Sequence, residues 1–121
     1  MSINRTDYVM FGLWMNKLQI KELDKKNPDW LESTEIGKYC HKDGFQGFNI
    51  VYDGMNKDYL CFGYVIEMAD ESDGLSFHSY NTDSLSEWYE DSASLINTFN
   101  RLFDSKMEEQ NLDLMIFTHW S

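Results

Sequence analysis

Residues 46–68, QGFNIVYDGMNKDYLCFGYVIEM, decide the fold that we expect from this sequence. Gln46–Tyr52 alternates apolar and polar side chains before its last residues, and Tyr59–Met68 is a long run rich in aromatic and β-branched residues. The segment between them, Asp53–Asp58, has the composition of a turn. The stretch therefore predicts a β-hairpin of two antiparallel strands.

Two further apolar runs predict the remaining strands. Tyr8–Met15 is continuous and rich in aromatic residues, which is typical of a central strand covered on both faces. Leu112–Trp120 is again mostly apolar and predicts a final strand. Ser76–Tyr80 has the pattern of a short edge strand.

Helical signals between the first two strands are weaker. Asn16 can cap a short helix that runs to Lys26, and Asn27-Pro28-Asp29 is a stronger start signal because Pro fits the first helical position. Gly37 can end that second helix in the left-handed conformation. We therefore expect one helical connection, or two short pieces that separate at Asn27-Pro28.

The clearest helix signal lies in the last third of the chain. Ser84-x-x-Glu87 has the pattern of a capping box and predicts that the helix begins there. Arg101 and Lys106 come late in the helix, where the macrodipole favours cations, and we expect the helix to end near Gln110-Asn111. Apolar and small residues recur at steps of three and four: Leu85, Trp88, Tyr89, Ser92, Leu95, Ile96, Phe99, Leu102, Phe103 and Met107.

These elements predict an α+β fold in one domain over residues 1–121. The order β-α-β-β-α-β is that of ferredoxin-like two-layer sandwiches, in which two helices cover one face of a mainly antiparallel sheet. The alternative is another two-layer α+β sandwich in which Ser76–Tyr80 adds an edge strand.

Charge is distributed unevenly along the chain. The net charge is −11, and residues 58–100 contain nine acidic residues and no lysine or arginine. Phosphate contacts require Lys and Arg, so this composition argues against direct binding to nucleic acid or to membrane headgroups. A large field of one sign is compatible with a basic protein partner, a cation, or solubility alone.

Motifs for catalysis and cofactor binding are absent from the sequence. The residues Cys40, His41, Cys61 and His78 lack the spacing of a zinc site, and Asp70–Gly74 lacks the Glu that would complete a calcium loop. No G-x-S-x-G, P-loop or dinucleotide fingerprint occurs. We therefore expect no cofactor, no metal and no enzymatic activity.

The strongest candidate for function is the acidic surface. Fixed carboxylates accept hydrogen bonds from Arg and Lys as phosphates do, so such a surface can imitate nucleic acid towards a basic protein or nucleoprotein complex. A solvated helix face is the simpler explanation, but exposed helices usually mix both signs of charge. The residues that we expect to contact the partner are Asp70, Glu71, Asp73, Glu87, Glu90 and Asp91.

Two other functions stay open. The first is a small-molecule or nucleotide-signal binding module, in which Trp14, Tyr64 and Trp120 line a pocket, with a dimer interface as one location. The second, which the missing phosphate-binding cations disfavour, is a metal-dependent hydrolase built on acids of the hairpin. Its residues would be Asp53, Asp58, Glu67 and His78.

The cellular compartment follows from the cysteines and the N-terminus. The chain has two cysteines, fewer than a disulfide scaffold needs, and its first residues lack the apolar core of a signal peptide. The apolar run Tyr8–Met15 is much shorter than the about 20 residues of a spanning helix. We expect a cytoplasmic protein with reduced thiols.

Two short segments resemble a known class of proteins. Tyr8-Val9-Met10-Phe11-Gly12 and Asp53-Gly54-Met55, with the later Tyr59 and Gly63, are similar to small acidic proteins carried by tailed bacteriophages. The resemblance covers about half of the chain and consists of strand and turn residues. It implies a class that includes inhibitors of host enzymes and host defence, such as anti-restriction and anti-CRISPR proteins, in the cytoplasm of a bacterial host.

Overall fold

The structure, a computed structural model, describes residues 5–41, 43–70 and 82–120. Within these ranges the chain is an α+β protein with one four-stranded antiparallel sheet and four α-helices. The strands are β1 (Arg5–Asn16), β2 (Asn49–Tyr52), β3 (Tyr59–Asp70) and β4 (Asp113–Trp120). The helices are α1 (Lys17–Lys26), α2 (Thr34–Tyr39), α3 (Thr82–Glu90) and α4 (Ser92–Phe103), with 3₁₀ turns at Trp30–Glu32 and Glu109–Asn111.

The predicted hairpin and the predicted central strand are both confirmed. β2 pairs with β3 around the turn, and β1 lies between β3 and β4 in the order β2-β3-β1-β4. β1 is longer than the apolar run that predicted it, because its pairing with β3 continues from Thr6 opposite Asp70 to Asn16 opposite Tyr59. The β2 strand is shorter than expected and begins at Asn49.

A pair of glycines allows β1 and β3 to approach each other closely. Gly12 lies directly opposite Gly63 in the register. A Cβ atom on Gly12 would overlap the carbonyl oxygen of Phe62, and one on Gly63 would overlap the carbonyl oxygen of Phe11. Residues larger than glycine are therefore excluded at these two positions, where β1 and β3 pair in the middle of the sheet.

One face of the sheet forms the main core with the helices. Trp30, Leu95 and Phe99 are almost fully buried and pack on side chains from β1, β2 and β3. Burial of this kind supplies most of the stability of a domain of this size. The sheet contributes the buried residues Phe11, Leu13, Met15, Ile50, Leu60 and Phe62.

The opposite face forms a second core, to which none of the four described helices contributes a side chain. Met10, Val51 and Cys61 are buried there, and Tyr8 stacks on Phe117 at 5.4 Å between ring centroids. The strong twist of the sheet allows these side chains to cover one another.

The Tyr59 hydroxyl lies 2.8 Å from Nδ1 of His119, although their partners on β1, Asn16 and Thr6, stand at opposite ends of the strand. In a flat sheet these positions would be about 30 Å apart along β1. The right-handed twist therefore brings two diagonal corners of the sheet together over this face.

The first helical segment consists of two helices, which confirms one of the two alternatives, but the helix boundaries differ from those that we expected. Asn16 caps α1 through a capping box with Gln19, whereas Asn27 ends α1 and does not begin a helix. Ser33 caps α2, and Gly37 lies inside that helix and does not end it. The indole Nε1 of Trp30 donates to Asp24 at 2.7 Å, which fixes the turn between the pieces.

The expected long second helix is also wrong in three places. It begins at Thr82, so Ser84 lies in the first turn and not at the N-cap. It breaks at Asp91, next to which the Ser92 hydroxyl donates to the carbonyl of Tyr89 at 2.7 Å. It ends at Phe103, because Asp104 takes the left-handed conformation (φ 48°, ψ 51°).

Some expectations fall on residues outside the described ranges, among them the alternative edge strand Ser76–Tyr80. No helix in the described ranges is long and apolar enough to cross a membrane.

Candidate functional site

Three of the expected contact residues lie together where α3 meets α4. Glu87 and Glu90 are on the last turns of α3, and Asp91 is the residue between the two helices. All three side chains are exposed. We call this group the acidic junction.

Within residues 5–41, 43–70 and 82–120, no basic side chain forms an ion pair with the acidic junction. Five ion pairs are found among the described residues, and none of them includes Glu87, Glu90 or Asp91. By contrast, Glu35 is paired with Arg101, one of the few cations in the second half of the chain, at 3.2 Å. The remaining pairs are Arg5–Asp7, Lys17–Asp58, Lys26–Asp104 and Lys57–Asp24.

A cavity of about 410 Å³ lies next to the acidic junction, and we call it the junction cavity. Asp91 and Ser94 line it from the helices, and Gln46, Phe48 and Tyr64 line it from β3 and the loop before β2. The rings of Phe48 and Tyr64 are in contact at 5.1 Å between centroids. The cavity therefore joins a carboxylate to an aromatic wall.

Asp91 is also hydrogen-bonded to Tyr64, one of the two rings of that wall. Burial first, and then the charge of Asp91 and its hydrogen bond with the phenol, raise the pKa of Tyr64 to about 12. Tyr64 is therefore a neutral hydrogen-bond donor at physiological pH.

A tight loop holds Gln46 at the edge of the junction cavity. Gln46 (φ 55°) and Gly47 (φ 83°) are both left-handed, and the backbones of Phe45 and Phe48 bond to each other at 2.9 and 3.0 Å. A residue other than glycine in this conformation is strained, and such strain is often found at binding sites.

The chemistry of this place suits a cationic side chain. A carboxylate accepts charge-assisted hydrogen bonds from guanidinium or ammonium groups, and an aromatic ring attracts the same cations through its face. The Gln46 amide and the Ser94 hydroxyl add hydrogen-bonding capacity at the edge. Two further carboxylates, Glu87 and Glu90, would strengthen the field that a cation meets on approach.

The other expected contact residues are placed differently. Asp70 is exposed at the end of β3 and lines another cavity, of about 430 Å³, with Tyr8, His41 and seven further residues. Burial first, and then the charge of Asp70, raise the pKa of Tyr8. Glu71 and Asp73 lie outside the described residues, so the structure does not place them.

The aromatic residues of the alternative pocket lie apart. Tyr64 lines the junction cavity, whereas Trp120 lines a cavity of about 380 Å³ beside the β2–β3 turn. The indole Nε1 of Trp14 donates to Asp113 at 2.8 Å. Three separate surroundings do not support the single aromatic pocket that we considered.

Two acids of the alternative hydrolase site, Asp53 and Asp58, have partners within the protein, and the third, Glu67, lies in β3. The carboxylate of Asp53 is buried and accepts backbone N–H bonds from Met55, Asn56 and Asp58 at 3.1–3.3 Å. Asp58 itself pairs with Lys17 at 3.6 Å. His78 lies outside the described residues, and among those that are described no three His, Cys, Asp or Glu side chains are grouped to hold a metal ion.

Both cysteines are free thiols. Cys40 is exposed and Cys61 is buried in the second core. Burial raises the pKa of Cys61 to about 12, so the reactive thiolate form of this residue is suppressed.

Sequence patterns did not indicate the junction cavity as a unit. Gln46 and Phe48 are distant in sequence from Asp91, and neither belongs to a motif. The one local signal is Gly47, which permits the left-handed loop that carries Gln46. Comparison of the chain with protein-family models, with curated proteins and with solved structures gave no match.

Proposed function

We propose that this chain is a non-catalytic interaction protein whose acidic junction binds a basic protein and blocks or steers it. The observation that carries the proposal is the group of three exposed carboxylates without an ion-pair partner among the described residues, beside a cavity with an aromatic wall. Several other acids of the described chain are paired with Lys or Arg, whereas the three acids of the junction are grouped within five residues and take part in none of these pairs.

The partner that fits is a protein or nucleoprotein complex with an exposed groove for nucleic acid. Such grooves present Arg and Lys in positions that accept phosphates, and carboxylates held on a folded surface satisfy the same donors. A nucleic-acid-handling or defence protein in the cytoplasm of a bacterial host belongs to this class, which agrees with the resemblance to phage proteins. The chain would act as a competitor of nucleic acid.

We also infer that the fold is ferredoxin-like. Counting α1 with α2, and α3 with α4, as single crossovers gives the order β-α-β-β-α-β. The sheet order β2-β3-β1-β4 supports this inference, since it places β3 between β1 and β2, as the split β-α-β arrangement requires. The helices pack on one face, which leaves the acidic junction at the outer surface of the helical layer.

The test is an affinity capture from bacterial lysate with three forms of the chain. The first is the wild type, the second carries Glu87→Lys, Glu90→Lys and Asp91→Lys, and the third is a control. The control carries Glu22→Lys, Asp29→Lys and Glu32→Lys, which are exposed acids in the first half of the chain. It changes the net charge by the same amount at a different place.

We expect wild type and control to retain the same basic protein at physiological salt and to lose it at several-fold higher salt, since screening weakens exposed charge pairs. The junction variant should retain none. Equal capture by all three forms, or equal loss from both triple variants, would contradict the role of the acidic junction.

A further inference from the structure

β4 is the outer strand at one end of the described sheet. It pairs with β1 through eight consecutive residues, from Arg5 opposite Trp120 to Gly12 opposite Asp113, and the register has no bulge. On its other side it has no strand partner among the described residues. The opposite edge, β2, is only four residues long.

The side chains of β4 divide clearly between its two faces. Met115 and Phe117 pack on the second core, and on the same side of the strand the Asp113 carboxylate accepts a hydrogen bond from the Trp14 indole and His119 bonds the Tyr59 hydroxyl. On the other face Leu114 and Ile116 are 51% and 69% exposed. Both ionisable groups of β4 are therefore turned away from its exposed face.

The sequence of β4 also lacks several features that protect an open edge. Soluble proteins shield edge strands with lysines, prolines, bulges or short length. β4 contains no Lys, Arg, Pro or Gly, and at eight residues it is longer than the average strand. An edge of this kind is a template for a further strand.

We propose that β4 pairs antiparallel with β4 of a second copy of this chain, about a two-fold axis at Met115. Residues 113–117 of the two copies would then lie side by side. In this register Leu114 of each copy faces Ile116 of the other, so the two exposed aliphatic side chains of β4 cover each other reciprocally.

Three observations favour a second copy as the occupant. A two-fold axis perpendicular to the sheet keeps each face of β4 on the same side, so the uncharged exposed face meets only itself. Pairing of two copies uses both long edges and leaves only the four-residue β2 edges at the ends of the sheet, which closes the assembly. A basic partner, in contrast, gains no charge pairing from this face of β4.

The C-terminal part of β4 sets the limit of the pairing. Thr118 and Trp120 face the β2–β3 turn across a cavity that Asp53, Met55 and Tyr59 also line. We therefore place the centre of the pairing at Met115, away from the part of β4 that lies beside this turn. Pairing over five residues is short, and we expect a weak dimer that dissociates on dilution.

Salt separates this interaction from binding at the acidic junction. The two copies each carry a net charge of −11, so their mutual repulsion falls when salt is added. Dimer formation should therefore strengthen with salt, while binding of a basic partner should weaken.

The first test is analytical ultracentrifugation over a wide range of protein concentration, at low and high salt. The wild type should pass from monomer to dimer as concentration rises. Ile116→Lys should stay monomeric, because it places a charge against the apolar Leu114 of the second copy and because a lysine protects an open edge. Leu18→Lys is the matched control: Leu18 is 72% exposed, on α1, and this variant should dimerise as the wild type does.

The second test fixes the register. In a Cys40→Ser background, Leu114→Cys and Ile116→Cys proteins are oxidised separately and as a mixture. Leu114 is opposite Ile116 of the second copy, so the mixture should give the mixed disulfide in excess over either homodimer. A wild type that stays monomeric throughout, a dimer that survives Ile116→Lys, or disulfides formed without preference would each overturn the proposal.

Discussion

Removal of the Asp53 carboxylate should destabilise the hairpin turn by an amount that the structure lets us work out. Asp53 is buried, and its two oxygens accept backbone N–H bonds from Met55, Asn56 and Asp58 at 3.2, 3.3 and 3.1 Å. A hydrogen bond to a charged group contributes about 1.5–3 kcal/mol. The turn is exposed, so water will replace part of this loss when the acceptor is removed.

We therefore expect Asp53→Ala to lower the free energy of unfolding by about 2–3 kcal/mol, which corresponds to a melting temperature lower by about 8–12 °C for a chain of this size. Asp53→Asn keeps one acceptor oxygen and should lose about half as much. The assay is urea unfolding followed by circular dichroism. Asp43→Ala, at an exposed acid outside the turn, is the control and should change stability by less than about 0.5 kcal/mol.

The same variants separate the structural role of Asp53 from a role in binding the partner. Partner capture by Asp53→Ala should equal that of the wild type at temperatures where both proteins are folded. The reasoning would be refuted by an Asp53→Ala protein as stable as the Asp43→Ala control, since three hydrogen bonds would then contribute nothing.

Three further predictions concern other parts of the structure. Gly12→Ala should lower the free energy of unfolding by about 3 kcal/mol or more, because its Cβ overlaps the Phe62 carbonyl, whereas Gly37→Ala, with open space around its Cβ in α2, should raise it by about 0.5–1 kcal/mol. Thermal unfolding of both variants checks this pair, and equal effects would contradict it. Burial lowers the pKa of His119, so the unfolded chain takes up a proton near pH 6.5 before the folded one does, and the free energy of unfolding should fall as pH drops below that value. Urea unfolding at pH 7 and pH 5 should show a smaller fall for His119→Gln than for the wild type, and an identical fall would argue against burial of the ring. Because the pKa of Tyr64 is raised to about 12, stability that is present below pH 10 should be lost as pH rises from 10 to 12. The free energy of unfolding should fall less over that range for Tyr64→Phe than for the wild type. A difference in this free energy that stays constant with pH would show that Tyr64 titrates normally.

The strands could be predicted well from the sequence because each is a distinct apolar run. Tyr59–Met68 and Tyr8–Met15 both lie in strands, and the errors concern only their ends. Pairing with a neighbour extends β1 outward to the polar residue Arg5, which apolarity alone does not indicate.

The helices were harder to predict because side chains changed the path of the backbone. The apolar spacing of residues 85–107 is continuous, yet the chain breaks at Asp91, where the Ser92 hydroxyl bonds to the backbone of α3. We expected the central strand to be covered on both faces, but not the side chains that form the second core. This core depends on the twist of the whole sheet, which brings Tyr59 to His119, and no local pattern records that contact.

The acidic residues of the candidate site could be predicted as exposed, but not their surroundings. Glu87, Glu90 and Asp91 were assigned to the outer face of a helix by periodicity, and they are exposed. That Asp91 shares a cavity with Tyr64 and Gln46 depends on tertiary packing between segments distant in sequence.

The most direct test of the central claim is the affinity of the captured partner for the two charge-matched triple variants, measured by isothermal titration calorimetry at several salt concentrations. The account predicts that the Glu22, Asp29 and Glu32 variant binds as the wild type does, with an affinity that falls with salt. The Glu87, Glu90 and Asp91 variant should bind at least about tenfold more weakly, because loss of about 1.4 kcal/mol is a factor of ten. Equal affinity for the two variants would contradict the claim that the acidic junction is the contact surface.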